Sequence, residues 1–379
     1  MKGKQGLVCM GLLLVLSSCS CHTGKQITAS GLQRKDFQTE VNGQHTDLFT
    51  LSNKQGMEVC ITNYGARVVS ILVPDRNGKR EDVVCGFSTI TEYMEQRQNF
   101  GSTVGRYIGR ILNARFTLDG VEYKLVPNNG KSGHISHGGN PGFADRIWKV
   151  EQADTHRVRL SYLSPDGENG FPGNLKVTLV YSLGEDDNAL DLTYEATTDA
   201  PTVLNLSHHS FFNISGNFTK SVEDQQLWVD ADRFTPYDDK KCVTGEYLPV
   251  AGTPLDFRMP HTIGECIDAD HPQLKVVNGY DHTWELNTKG DDTRPAAWGY
   301  DPASGRKMEI FTTEPGMQIY TGNGLKGKMT GKGGIAYPFR SAVCFETMHF
   351  QDSPNQPGFP STVLRPGEVF RSHTVYKFE

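Results

Sequence analysis

The chain has 379 residues, a formal net charge of −6 and no basic run, which excludes nucleic acid or another polyanion as its partner. Its 40 glycines and 19 prolines suit a protein with many tight turns. No spacing among its 8 cysteines matches a zinc site or a disulfide framework, and no short period repeats along the chain.

At the N-terminus, Lys2 and Lys4 precede the apolar run Leu7 to Leu16, which is too short to span a bilayer. Leu16-Ser17-Ser18-Cys19 follows, giving the layout of a signal peptide whose cleavage site ends in cysteine. It resembles a bacterial lipobox, cut before Cys19 and lipidated there; an ordinary secretory signal with a chance cysteine is the alternative. The expected organisation is a lipoprotein signal peptide at 1–18, a lipidated polar tether at 19–33 and a single domain at 34–379. The corresponding location is the bacterial cell envelope, as a lipid-anchored periplasmic or outer-membrane monomer.

The rest of the chain reads mainly as strand. Met57, Val59 and Ile61 alternate with polar residues. So do Val158, Leu160 and Tyr162, then Leu175 to Tyr181, then Leu190 to Tyr194. A period of two over such runs indicates half-buried strands. Ile90 to Arg97 is the one helical hint, and it is short. Turn signals stand at Arg76-Asn77-Gly78, Asp119-Gly120, Pro165-Asp166-Gly167 and Ser304-Gly305, and Leu183 to Asn188 reads as a hairpin connection. These elements define an all-β fold, a large antiparallel β-sandwich. Cys60, Cys85 and Cys344 lie among apolar strand residues and read as buried small hydrophobes.

Polar residues fall at intervals along this framework. Arg110 follows Gly109, and His137 precedes Gly138-Gly139. His208 and His209 are adjacent, so in a strand they face opposite sides and only one can look into a pocket. Asp281 follows Gly279-Tyr280, Gln318 lies between Met317 and Ile319, and Glu346 follows Phe345. Burying a lone carboxylate such as Glu346 is costly without partners, so a site that needs it would explain its place. Singly, each residue also has a structural reading: a hydrogen-bonded strand or loop histidine, an ion-paired arginine, a turn-forming aspartate.

Taken in order, these segments resemble the aldose 1-epimerase family, also called galactose mutarotases. Supporting runs include Val73-Pro74-Asp75-Arg76-Asn77-Gly78, Gly170-Phe171-Pro172-Gly173-Asn174, Asp232-Arg233-Phe234-Thr235-Pro236, Thr253-Pro254-Leu255-Asp256-Phe257-Arg258 and Tyr320-Thr321-Gly322-Asn323. The resemblance runs from about Asp47 to Phe378. It implies a large antiparallel β-sandwich that interconverts the α and β anomers of free aldoses such as glucose and galactose, without cofactor or metal. It makes His209 the catalytic acid, Glu346 the catalytic base and His137 the second active-site histidine. Arg110, Asp281 and Gln318 fall on sugar-binding positions. Two residues depart from the family pattern: His208 and Gly109 each stand where asparagine is usual.

The chemistry itself needs a base for the C1 hydroxyl proton and an acid for the ring oxygen, so a carboxylate and an imidazolium on opposite sides of the sugar would serve. Negative charge from Glu346 or Asp281 would favour the protonated histidine. Arg110 and Asp281 would hold hydroxyls, and His137 would bond the ring oxygen or the developing C1 oxyanion. Two other classes compete. A sugar-binding sandwich without catalysis would not need both Glu346 and His209, and a glycoside hydrolase would use Asp281 and Glu346 as its carboxylate pair. A metal on His134, His137, His208 and His209 is disfavoured, since no pair has helical His-x-x-x-His spacing and no cysteine accompanies them.

Overall fold

A computed structural model describes residues 26–379. The signal-peptide segment, Cys19 and the first half of the expected tether lie outside the described residues. The second half is not a tether. Ile27 pairs with Gln33, Thr28 and Leu32 are buried, and the amides of Ala29 and Ser30 donate to the buried carboxylate of Glu58. Their small, polar composition suggested solvent, but backbone donors and one leucine suffice to dock the segment. The folded unit therefore begins before residue 34.

Strand pairing is antiparallel throughout the three larger sheets. The largest sheet has nine strands, ordered Lys149–Ala153, Arg157–Ser164, Leu175–Leu183, Ala189–Thr198, Phe370–Phe378, Lys307–Thr312, Ala297–Tyr300, Gln226–Val229 and His261–Thr262. Its alternating burial matches the period-two reading: in Ala189–Thr198, every second residue from Leu190 is buried. The hairpin expected at Leu183 to Asn188 joins Leu175–Leu183 to Ala189–Thr198. Asp119 and Gly120, both with positive φ, form the two-residue turn between Arg115–Leu118 and Val121–Lys124.

A six-stranded sheet packs on the large one, in the order Phe211–Phe212, Val343–Met348, Gly316–Tyr320, Asp281–Glu285, Arg233–Thr235 and Leu248–Pro249. Trp284, Met317, Ile319 and Phe345 point from it into the main core, against Leu192, Ile310 and Tyr376 of the large sheet. A four-stranded sheet, Leu48–Ser52, Glu58–Thr62, Arg67–Pro74 and Arg80–Asp82, completes the sandwich. Here the half-buried expectation fails. Every residue of Glu58–Thr62 is buried, because Val59 and Ile61 enter the main core while Cys60 enters a second cluster around Tyr93, Phe100 and Phe211.

The expected helix forms at Ile90–Gln96. A Thr89–Glu92 capping box starts it, and Arg97 ends it in the left-handed region. Two shorter helices, Ile263–Cys266 and Pro272–Val277, were not read from the sequence. Cys60, Cys85, Cys242, Cys266 and Cys344 are all free thiols, the first two and Cys344 fully buried.

Candidate active site

Register explains how three of the candidates meet. In the six-stranded sheet Gln318 lies opposite both Thr283 and Glu346, and Tyr320 lies opposite both Asp281 and Cys344. Residues two apart share a face. One face therefore carries Asp281, Gln318, Tyr320, Glu346 and Met348, while the other supplies the core. That polar face floors a cavity of about 240 Å³, at the small end for ligand sites. Its walls come from Gln98, Asn99, Gly109, Arg110, Ser136, His137, His209, Phe211 and Gln351.

His209 reaches the cavity from Ser207–His209, which pairs with Ser102–Val104. Its Nε2 lies 3.4 Å from Oε1 of Glu346, and its ring stacks on Phe211 at 5.0 Å between centroids. Cys344 Sγ sits 3.6 Å from Nδ1 on the other edge of the ring. His208 turns the opposite way, into the core, where Nε2 is 2.6 Å from Ser210 Oγ and Nδ1 is 3.4 Å from Tyr181 Oη. Of the two adjacent histidines, only His209 lines the cavity.

His137 stands edge-on to His209, 5.6 Å between centroids. It has a positive φ and sits just after the short strand Ile135–Ser136, which pairs with Arg110–Ile111. The Gly109 amide donates to its Nδ1 at 3.4 Å, so the neutral ring carries its proton on Nε2. Burial holds His137 down at about 4, with Arg110 adding to the effect. It is thus a neutral hydrogen-bond donor near pH 7.

Asp281 accepts from Gln318 Nε2 at 2.7 Å, and Gln318 Oε1 accepts from the Thr283 hydroxyl. Arg110 donates to the Lys241 carbonyl at 3.4 Å, which leaves other guanidinium hydrogens for a ligand. Burial raises the Asp281 pKa, while Arg110 and Gln318 pull it down.

The acid–base pair differs from the sequence expectation in two ways. The groups are direct neighbours at 3.4 Å, where a carboxylate and an imidazolium on opposite sides of the sugar were expected. Burial also pushes Glu346 well above the ordinary carboxylate value, with Asp281 adding to it. It pushes His209 well below the ordinary histidine value, with His137, His208 and Arg67 adding to the effect. Desolvation thus outweighs the attraction that was expected to keep His209 charged. Burial therefore favours the uncharged form of each partner.

The four histidines weighed as a metal site do not converge. His208 faces the core, and His134 Nε2 meets Cys242 Sγ at 3.3 Å. Among the described residues, His209, Cys344 and Glu346 can bring ligand atoms within 4.8 Å of one another. Cys344 Sγ approaches the Nδ1 edge of the ring and Glu346 the Nε2 edge.

Sequence reasoning missed Tyr237 and Gln351. Gln351 Nε2 donates to Tyr237 Oη at 2.7 Å, and Gln318 Nε2 lies 3.4 Å from the same hydroxyl. Neither carries a local signal: Tyr237 follows a proline, and Gln351 lies in a loop after Phe350. Only tertiary structure brings Gln351 to the cavity wall and Tyr237 into hydrogen-bond reach of it.

A β-sandwich that gathers two carboxyl groups, two histidines, an arginine and carboxamide side chains in one small polar cavity has the side chains that a carbohydrate-active enzyme needs. Comparison with known proteins gives the family. The family model described as aldose 1-epimerase matches residues 47–377. The galactose mutarotase of Bos taurus is 40% identical over 331 residues, covering 87% of this chain and 93% of the relative. The aldose 1-epimerase of Escherichia coli K12 is 36% identical, covering 89% and 96%. Among solved structures, an aldose epimerase homologue from C. elegans has a TM-score of 0.81 at 31% identity, covering 88% of this chain and 99% of the other. The galactose 1-epimerase of Lactobacillus acidophilus has a TM-score of 0.78 at 28% identity, covering 90% and 97%. The chain belongs to the aldose 1-epimerase family, whose members isomerise aldoses at C1. The rival glycoside hydrolase and non-catalytic readings give way to it.

One expectation is overturned. A lipid-anchored bacterial envelope protein does not fit relatives that include the galactose mutarotases of pig and cattle at 38% and 40% identity. The family match begins at residue 47, well beyond Cys19. Among the described residues no helix is long and apolar enough to cross a membrane.

Proposed function

We propose that this chain interconverts the α and β anomers of free aldohexoses such as glucose and galactose, with Glu346 as base and His209 as acid. The observation that carries the assignment is the 3.4 Å approach of His209 Nε2 to Glu346 Oε1 in the cavity. Both reacting oxygens of the sugar are attached to C1, so the acid and the base have to reach the same carbon's substituents.

Glu346 removes the C1 hydroxyl proton and His209 Nε2–H protonates the ring oxygen. The C1–O5 bond breaks, and C1 becomes an aldehyde. The pair is then Glu346–COOH and neutral His209, the state that burial favours in the dry pocket. The C1–C2 bond rotates. O5 attacks the other face of the carbonyl and returns its proton to His209, while Glu346 returns its proton to O1. No net proton is consumed, and the pair carries one proton throughout. Desolvation stabilises the open-chain half of the cycle, and the polar sugar favours the charged half.

His137 donates from Nε2 to the ring oxygen or the C1 oxygen. Arg110, Asp281 and Gln318 hold the remaining hydroxyls and fix the ring against the pair. The test is polarimetry on freshly dissolved α-galactose and α-glucose. Relaxation well above the buffer rate, abolished in Glu346→Gln, is expected; relaxation at the buffer rate with every aldose tried would refute the activity.

A further inference from the structure

Gly109 lies in the cavity wall against Gln351. Its φ is +74°, a left-handed conformation that glycine and asparagine tolerate best. The backbone therefore does not exclude asparagine. Gln351 does: a Cβ at position 109 would lie 2.5 Å from its Cγ and 3.0 Å from its Cδ.

The Gln351 carboxamide is held at both ends. Its Oε1 accepts from the Arg110 amide at 3.2 Å. Its Nε2 donates to Tyr237 Oη at 2.7 Å and approaches Gln318 Oε1 at 3.4 Å. The side chain is 5% exposed, and what is exposed lines the cavity. One amide thus connects two of the residues assigned to sugar hydroxyls, Arg110 and Gln318, from the spot where a side chain at position 109 would begin.

We propose that Gln351 is a substrate-positioning residue, packed against Gly109, that fixes Arg110 and Gln318 for the sugar hydroxyls. This rests on the acid–base reading of the same pocket. Positions 109 and 351 form a reciprocal pair: a side chain at one requires a small residue at the other. The coupling extends to the chemistry, because the Gly109 amide and carbonyl both bond His137. Pushing residue 109 away from Gln351 would tilt that ring.

The experiment compares Gln351→Met, Gly109→Asn and the Gly109→Asn/Gln351→Ala double variant with wild type, by polarimetry on α-galactose. Gln351→Met keeps the volume and loses the amide. It should raise KM about five- to tenfold and leave kcat within about threefold. Gly109→Asn should lower kcat/KM by about a hundredfold, through both constants, and the double variant should recover most of that loss. An unchanged KM in Gln351→Met, or a double variant no better than Gly109→Asn, overturns the proposal. Should Gly109→Asn fail to fold, Gln351→Met decides alone. Glu346→Gln run in parallel separates the two readings: if it keeps full turnover, the acid–base assignment falls whatever Gln351 does.

Discussion

At the scale of single residues, the site was legible where chemistry singled out a side chain. Glu346 between Phe345 and Thr347 is a carboxylate in an apolar strand, and it proves to be buried in the cavity floor. If it is the base and His209 the acid, Glu346→Gln and His209→Asn should each lower turnover by on the order of 10²-fold or more. The double variant should be far less than multiplicatively worse, since both act on one transition state. Near-full turnover in Glu346→Gln would end the assignment. The pH profile follows from the same pair. The pair works with one proton shared between its two groups, and a doubly protonated pair needs a charged His209 beside protonated Glu346, a state that burial opposes by holding His209 well below the usual 6.5. The acid limb of kcat/KM should therefore lie below pH 6.5, and an acid limb at or above that value would show a different titrating group. His208 faces away from the cavity, so His208→Asn should change activity by less than about tenfold, or ~1.4 kcal/mol. It should still cost about 1–2 kcal/mol of stability, through the lost Ser210 contact and the space left beside Tyr181. A larger loss of activity than in His209→Asn would reverse the two histidines.

At the scale of elements, periodicity revealed the strands of the large sheet because one of their faces meets solvent. For Glu58–Thr62 it found the strand but not its burial: the strand lies between two apolar clusters, so the alternate residues Glu58, Cys60 and Thr62 are buried as well. The helix Pro272–Val277 has only 6 residues, fewer than two turns, so no amphipathic stripe develops. Its signals were local ones, Pro272 at the first position and Asn278 closing it in the left-handed region. The helix Ile90–Gln96, read from the sequence as a short helical hint, is started by a Thr89–Glu92 capping box, with Ile90 and Tyr93 buried. The Glu92 amide donates to Thr89 Oγ1 at 3.2 Å, and the Thr89 amide donates to Glu92 Oε2 at 2.9 Å. Thr89→Ala should lower unfolding stability by ~1 kcal/mol, measured in urea. Activity should hold, since the helix packs behind the cavity wall and contributes no side chain to it.

At the scale of the whole molecule, the sandwich must hold its last strand, Phe370–Phe378, in the middle of the nine-stranded sheet, between Ala189–Thr198 and Lys307–Thr312. Sequence alone did not reveal this closure, because the pairing joins residues far apart in the chain. His373 on the outer face of that strand reinforces it. Its Nε2 is 2.6 Å from Asp191 on the neighbouring strand, and its Nδ1 is 2.6 Å from Asp292, in the segment that leads from the six-stranded sheet to Ala297–Tyr300. With a carboxylate at each nitrogen, the ring is held protonated: hydrogen bonding to Asp191 raises its pKa from 6.5 to about 9, with Asp292 contributing and partial burial opposing. The sign is that of a raised folded-state value. The stabilisation is complete below pH 6.5, where both states are protonated, and is lost as pH rises through about 9. With 31% of the side chain facing solvent, the contribution is on the order of 1–2 kcal/mol. His373→Gln should therefore destabilise the protein at pH 6, and the difference from wild type should shrink by pH 10. Urea unfolding of both proteins at the two pH values cancels the effects of all other titrations. A difference that is constant between them would mean that the ring acts by packing alone and that its charge does not tie the last strand to its neighbours.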